Sequence, residues 1–168
     1  MKVRLISLTK PVAEELKDFS AEELTSYVAR VSNPSNQMST ETAPRLLKYC
    51  IRNNHWSVLE HVNMTVEITT SRGIATQILR HRSFVFQEFS QRYAVATDFE
   101  TYPARRQDNK NRQNSIDDMD QETKEWFAMA QQLIQADAKA MYEDALRRGI
   151  AKEQSRFLLP LSTQTPLS

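Results

Sequence analysis

Glycine is almost absent from this chain, and its scarcity narrows the ways in which a nucleotide could be bound. The 168 residues include only two glycines, Gly73 and Gly149. P-loops and dinucleotide-binding turns need several glycines, so that backbone N–H groups can approach the phosphates closely. Neither motif can be built from this sequence. A nucleotide phosphate would have to be held by arginine side chains or by helix N-termini.

The chain also has only one cysteine, no long apolar run and no dominant sign of charge. Cys50 is the only cysteine, which excludes a disulfide framework and a thiolate metal cage, and its apolar surroundings predict a buried side chain. No run of about 18 apolar residues predicts a membrane span, and the first residues do not resemble a secretory signal. We therefore expect a cytoplasmic protein without a membrane partner. The net charge of +1 gives no overall field that would attract nucleic acid, and we expect no such partner.

The hydrophobic pattern predicts a single domain over residues 1–168 of the α+β class, with long helices packed on a mostly antiparallel sheet. Ser20 and Glu23 are spaced as a capping box, which predicts a helix beginning after Ser20. Further helices are predicted at 42–53, 74–79 (after a turn at 71–73), 122–148 and 152–157, strands at 2–9, 62–70 and 93–99, and an aperiodic polar segment at 102–120.

The longest predicted helix, at 122–148, has an apolar stripe on one side. Gly149 directly follows this helix and fits the C′ position of its cap. The stripe consists of Trp126, Ala130, Leu133, Ile134, Met141, Ala145 and Leu146.

Residues 80–92 carry the densest cluster of charged and aromatic side chains. Three arginines, a histidine, a glutamate and two serines alternate there with phenylalanine and valine. A strand in the core would not tolerate successive cations unless anions paired with them. Arginine suits a phosphate because its planar guanidinium group donates two hydrogen bonds at once. The residues alone leave two interpretations open, an anion-binding site and a charged interface.

The order of residues in this block is similar to the signature of flavin-dependent thymidylate synthases. Arg-His-Arg at 80–82 is followed by seven residues and then Ser90, which matches the pattern RHRx7S. The resemblance covers about residues 20–163, and residues 86–92 and 111–115 look most like viral and phage members. Its other matching segments are Ala-Arg-Val-Ser at 29–32, His-Trp-Ser-Val-Leu-Glu-His at 55–61, and Glu-Gln-Ser-Arg at 153–156 before Leu-Leu-Pro-Leu at 158–161.

The resemblance implies methylation of dUMP to dTMP, with FAD as cofactor, methylenetetrahydrofolate as carbon donor and NADPH as reductant. It also implies a homotetramer whose subunits share active sites. It implies no metal, and His81 has no second ligand at metal-binding spacing. The implied flavin-binding residues are His55, Ser57, Arg80, His81, Arg82 and Glu88. The implied dUMP-binding residues are Gln77, Arg80, Glu88, Phe89, Ser90, Gln91, Arg92 and Arg156.

Several of these residues also have a purely structural interpretation. Ser90 has no adjacent general base in the sequence, so we interpret it as a binding residue and not as a nucleophile. His55 could be a packing residue after a helix. Arg156 lies three residues after Glu153, where an i,i+3 ion pair would explain it without a ligand.

The resemblance also implies a C-terminal segment beyond residue 161 with further flavin contacts and an arginine that polarises the uracil ring. We expect that the residues present bind dUMP but turn it over poorly without that arginine, and no catalytic residue can be assigned here. The alternative function is a catalytically idle protein that binds nucleotide or flavin on the same scaffold. The long polar segment at 102–120 could be an active-site cover or a subunit contact.

Overall fold

A computed structural model describes residues 1–168, and its backbone divides into two compact units. The first unit comprises Arg4–Glu67, and the second comprises Met1–Val3 together with Ile68–Ser168. The boundary between the units falls within two strands, so each of these strands has some residues in one unit and the rest in the other. No helix combines the length and the apolar character that a membrane span would need.

The first unit contains two helices beside the chain's first strand. Helix α1 (Ala21–Ala29) begins after Ser20, whose hydroxyl accepts a hydrogen bond from the Glu23 amide while the Glu23 carboxylate accepts one from the Ser20 amide. The predicted capping box is therefore confirmed. Cys50 is buried, as the sequence predicts. The elements are β1 (Lys2–Leu8), α1 (Ala21–Ala29), α2 (Ala43–Arg52) and β2 (Met64–Ser71).

The second unit contains the longest helix and the signature block. Helix α4 (Gln121–Arg147) is followed by its C-cap residue Arg148 and then by Gly149, whose φ of +82° lies in the left-handed region that favours glycine at C′. The predicted cap is confirmed, and the chain turns there into the short helix α5. The elements are α3 (Arg72–Ile78), β3 (Arg106–Gln107), β4 (Ser115–Ile116), α4 (Gln121–Arg147), α5 (Lys152–Ser155) and β5 (Gln164–Leu167).

The main sheet has three strands in the order β1-β2-β5. Residues Ile68–Ser71 of β2 pair antiparallel with β5, and Ile68 lies opposite Leu167. On its other side, β5 forms an antiparallel bridge to Glu88. The Phe89 amide donates to the Pro166 carbonyl over 2.9 Å. The α+β class with antiparallel strands, predicted from the sequence, is confirmed.

Three sequence predictions differ from the structure. Residues 93–99 form turns and an isolated bridge, not a strand. The polar segment at 102–120 contains the antiparallel pair β3–β4, in which Arg106 lies opposite Ile116. Strand β5 was not predicted, because its residues Gln164–Leu167 include a proline and show no apolar alternation that extends beyond four residues.

Helix α4 turns the larger part of its apolar stripe outward. Trp126, Leu133 and Met141 are each 60% exposed, whereas Tyr142 and Ala145 are buried. The helix packs within its unit through Tyr142 and Ala145, and on this side Gln135 donates to the Glu100 carbonyl over 2.9 Å. Most of the apolar stripe identified in the sequence is therefore a surface feature of the single chain, and its member Ala145 is buried.

A buried carboxylate joins β2 to the segment that follows the signature block. Glu100 accepts hydrogen bonds from the Ser71 amide over 2.8 Å and from the Tyr102 hydroxyl over 2.6 Å, and it contacts the amino group of Met1. Burial raises the pKa of the Glu100 carboxyl, but these donors outweigh burial and hold the pKa below its usual value of 4.5. The ionised form of Glu100 therefore stabilises the fold.

We predict that Glu100→Gln lowers the free energy of unfolding near neutral pH by about 1–3 kcal/mol, because charge-assisted hydrogen bonds are lost. The pKa of Glu100 is lower in the folded protein than in the unfolded chain. Its contribution to the free energy of unfolding is therefore fully present above the pKa of the unfolded state, and it is lost as the pH falls through the pKa of the folded state. The variant should lose less stability than the wild type on acidification. Urea denaturation at several pH values measures this, with the exposed Glu41→Gln as control. Parallel pH profiles for wild type and Glu100→Gln would contradict the prediction.

Candidate functional site

The signature block begins where helix α3 ends. The Arg80 amide donates to the Gln77 carbonyl over 3.3 Å, and the His81 amide donates to the Ile78 carbonyl over 3.0 Å. These bonds extend the last turn of the helix, so the Arg-His-Arg run projects from a short rigid stem. Gln77 lies on the exposed side of that stem.

The cations of this run have no acidic partner. Arg80 and Arg82 are exposed, and neither forms an ion pair with a carboxylate. The His81 ring stacks on Phe84 with centroids 4.9 Å apart, and Phe84 meets Phe86 edge-on at 6.1 Å. Two free guanidinium groups beside an exposed aromatic surface suit a ligand that carries both phosphate and a planar ring.

The middle of the block is fixed by the main sheet. Glu88 bridges to Leu167, and the Gln87 amide donates to the Ser168 carbonyl over 2.6 Å. Glu88 and Phe89 are half-buried, and the Glu88 carboxylate has no ion-pair partner. The backbone that carries these two residues is therefore rigid, while the carboxylate remains able to bind a ligand.

Ser90 begins a tight turn that carries Arg92. The amides of Tyr93 and Ala94 both donate to the Ser90 carbonyl over 3.1 Å, and the Arg92 amide lies 3.4 Å from the Ser90 hydroxyl oxygen. No basic side chain bonds to that hydroxyl. The geometry agrees with the interpretation of Ser90 as a binding residue.

Gln91 is the one residue of this turn whose side chain points into the protein. It is 2% exposed, and its amide oxygen accepts a hydrogen bond from the guanidinium group of Arg72 over 2.9 Å. Arg72 is the first residue of α3, so this bond connects the turn to the stem of the Arg-His-Arg run. A ligand could reach Gln91 through the backbone only. Sequence reasoning missed Arg72, since a pairing across 19 residues leaves no local pattern.

Two arginines from distant parts of the chain meet at Glu153. The Arg92 guanidinium lies 3.4 Å from the Glu153 carboxylate, and the Nε of Arg156 donates to the Glu153 backbone carbonyl over 3.1 Å. The i,i+3 ion pair between Glu153 and Arg156 does not form. The structural explanation of Arg156 suggested by the sequence is thus wrong, and its positive charge has no carboxylate partner.

The remaining candidates lie in the first unit. His55 precedes a 3-10 turn over Trp56–His61, and its amide donates to the Cys50 carbonyl over 2.8 Å. The His55 ring packs edge-on against Tyr49 with centroids 5.9 Å apart, yet both His55 and Ser57 are exposed. Packing therefore orients the imidazole without burying it. Nowhere in the chain do three His, Cys, Asp or Glu side chains cluster as metal ligands would.

Comparison with known proteins identifies the class. A family model described as thymidylate synthase complementing protein matches residues 15–168. The chain belongs to this family, which confirms the resemblance of the signature block.

Individual relatives are similar over almost the whole chain. A flavin-dependent thymidylate synthase of Synechocystis sp. is 55% identical over 99% of this chain and 77% of its own length. A protein of Paramecium bursaria Chlorella virus 1, named as a probable flavin-dependent thymidylate synthase, has the same identity and coverage. A crystal structure of the UMP/dUMP methylase PolB from Streptomyces cacaoi, bound with 5-Br dUMP, covers 99% of this chain and 70% of its own with a TM-score of 0.79. At 22% identity, the likeness to PolB concerns the fold alone.

We predict that Gln91→Ala lowers the free energy of unfolding by about 1–3 kcal/mol, because the half-buried Arg72 guanidinium loses its acceptor and a cavity opens. Gln87→Ala is the matched control, since Gln87 lies in the same block with an exposed side chain. Urea denaturation of both variants measures the difference. Equal stability of the two would show that the Arg72–Gln91 bond does not hold the turn.

Proposed function

We propose that the protein methylates dUMP to dTMP, taking the carbon from methylenetetrahydrofolate and the electrons from NADPH through FAD. Family membership and 55% identity to two relatives named for this activity support the proposal. The observation that carries it is the set of arginines around the signature block, of which only Arg92 has a carboxylate partner. Arg80 and Arg82 are exposed without carboxylate partners, and Arg92 and Arg156 converge on Glu153.

The residues present fit an FAD molecule. The cofactor combines a pyrophosphate with planar rings, and the Arg-His-Arg run offers free guanidinium groups beside the stacked His81 and Phe84 rings. A bound FAD would supply the electrons that accompany transfer of the folate carbon. We assign His55, Ser57 and Glu88 to the same cofactor, in keeping with their exposed or uncompensated polar groups.

Binding of dUMP is assigned to the turn and the two elements beside it. Arg92 and Arg156 would hold the phosphate, because guanidinium groups donate paired hydrogen bonds to phosphate oxygens. Ser90 and the backbone of Gln91 would add donors at the start of the turn. Gln77, Arg80, Glu88 and Phe89 would contact the rest of the nucleotide.

The test of the proposed function is the conversion of dUMP to dTMP by the purified protein. The reaction mixture contains FAD, NADPH and methylenetetrahydrofolate, and the products are separated by chromatography. We expect dTMP to form only when all components are present. Binding of dUMP and FAD without any dTMP would favour the idle nucleotide-binding protein instead.

We predict that Arg82→Ala weakens FAD binding by about ten- to a hundredfold, because one charge-assisted contact contributes about 1.5–3 kcal/mol. Flavin absorbance after gel filtration and fluorescence titration with FAD measure the change. Arg112→Ala removes another exposed arginine, one outside the proposed site, and should retain wild-type affinity. Equal FAD affinity of the two variants would remove Arg82 from the site.

We propose further that the protein is a homotetramer with shared active sites. Helix α4 supports this proposal, because Trp126, Leu133 and Met141 of its apolar stripe are each 60% exposed in the single chain. Long apolar stripes on a surface helix are typical of subunit contacts. A second copy of the chain, offering the same stripe, is the simplest partner.

We predict that Leu133→Glu lowers the mass measured by light scattering at micromolar concentration, because a buried carboxylate without a partner opposes association. The adjacent Gln132→Glu adds the same charge beside the stripe and should leave the mass unchanged. A wild-type protein that is monomeric with FAD present would contradict the tetramer. An unchanged mass for Leu133→Glu would exclude this stripe as the contact.

A further inference from the structure

The turn that carries Arg92 is held to α5 by two contacts that involve no ligand. The Glu153 carboxylate lies 3.4 Å from the Nη2 of Arg92, across 61 residues of sequence. The ammonium group of Lys152 donates to the Tyr93 carbonyl over 2.9 Å. Two consecutive residues of α5 therefore contact two consecutive residues of the turn. Glu153 contacts the side chain of Arg92, and Lys152 contacts the backbone of Tyr93.

Glu153 also fixes the second arginine of the proposed phosphate site. The Nε of Arg156 donates to the Glu153 backbone carbonyl over 3.1 Å, and the Arg156 guanidinium carbon lies 5.4 Å from the centroid of the Phe157 ring. The Arg92 guanidinium carbon likewise lies 5.7 Å from the centroid of the Tyr93 ring. The carboxylate of Glu153 thus holds Arg92, its backbone carbonyl holds Arg156, and each guanidinium group lies near the aromatic ring of the next residue.

The contribution of this arrangement to stability is small. Arg92 and Glu153 are 50% and 47% exposed, and exposed ion pairs contribute little to the free energy of folding. The contact at 3.4 Å uses one Nη atom only, which leaves the other donors of the Arg92 guanidinium available to a phosphate. Its consequence is orientation, since a long side chain fixed before binding loses less entropy when the ligand arrives.

We propose that Glu153 is a positioning residue, whose carboxylate orients Arg92 toward the phosphate of the nucleotide substrate. This inference rests on the proposed function and adds to it a residue that does not touch the substrate. The direction in which removal of the Glu153 carboxylate changes phosphate affinity distinguishes positioning from simple electrostatics. Removing a negative charge near an anion site should strengthen phosphate binding through the electrostatic field alone, whereas loss of orientation should weaken it.

The test is isothermal titration of dUMP into the FAD-loaded protein. We expect Glu153→Gln to raise the dissociation constant for dUMP about three- to tenfold, the range of one ordinary hydrogen bond. Glu153→Asp, which keeps the carboxylate, should recover part of the loss. Glu143→Gln removes the same charge from a glutamate of α4 without an ion pair and should not weaken binding.

A double-mutant cycle shows whether Glu153 acts through Arg92. In an Arg92→Ala background, Glu153→Gln should have a clearly smaller effect than in the wild type, and the thermal midpoints of the single variants should stay within a few degrees of the wild type. Unchanged or tighter dUMP binding by Glu153→Gln would overturn the inference, as would full additivity with Arg92→Ala or a large fall in thermal midpoint. Failure of the wild type itself to bind dUMP would overturn the proposed function, and this inference with it.

Discussion

The hydrogen bonds of residues 161–168 determine where the signature block lies. Thr163 and Leu161 accept bonds from the Arg72 and Gly73 amides over 2.9 and 3.0 Å, which fixes the first turn of α3. Pro166 accepts a bond from the Phe89 amide further along the same strand. Thr163 and Thr165 are fully buried. Residues 161–168 therefore hold the chain on both sides of the Arg-His-Arg run, at the start of α3 before it and at Phe89 after it.

In this arrangement the backbone of the site is held by hydrogen bonds, whereas its charged side chains remain available to a ligand. The backbone of residues 87–89 is bound to the sheet, and the turn at Ser90 is held by the Arg72–Gln91 bond. The charged side chains that this backbone carries have few ion-pair partners within the protein. Such a division is expected of a site that must recognise anions, because cations that were already neutralised by the protein would offer a phosphate little free energy.

Most helices could be predicted from the sequence, because their signals are local. The capping box at Ser20, Gly149 at C′ and the 3.6-residue periodicity of α2 and α4 each involve residues within one or two turns. The signature residues could be predicted only through the family resemblance, since their order in the chain gives no reason of its own for a flavin. The features that escaped prediction depend on contacts between distant residues. Strand β5 is a strand because β2 and residues 87–89 flank it, and Arg72 and Glu153 acquire their roles from partners 19 and 61 residues away.

The left-handed backbone conformation of Gly149 affects the position of the residues that follow it in α5. No atom lies within 4 Å of the place where its Cβ would be, so a larger side chain would meet open space. The only obstacle is the backbone, whose φ of +82° is unfavourable for an L-residue by about 1 kcal/mol. A substitution there would be relieved by rotating the peptide units that join α4 to α5. Because α5 carries Glu153, such a rotation would move Glu153 relative to Arg92, so the backbone conformation at Gly149 helps to set the geometry of that contact.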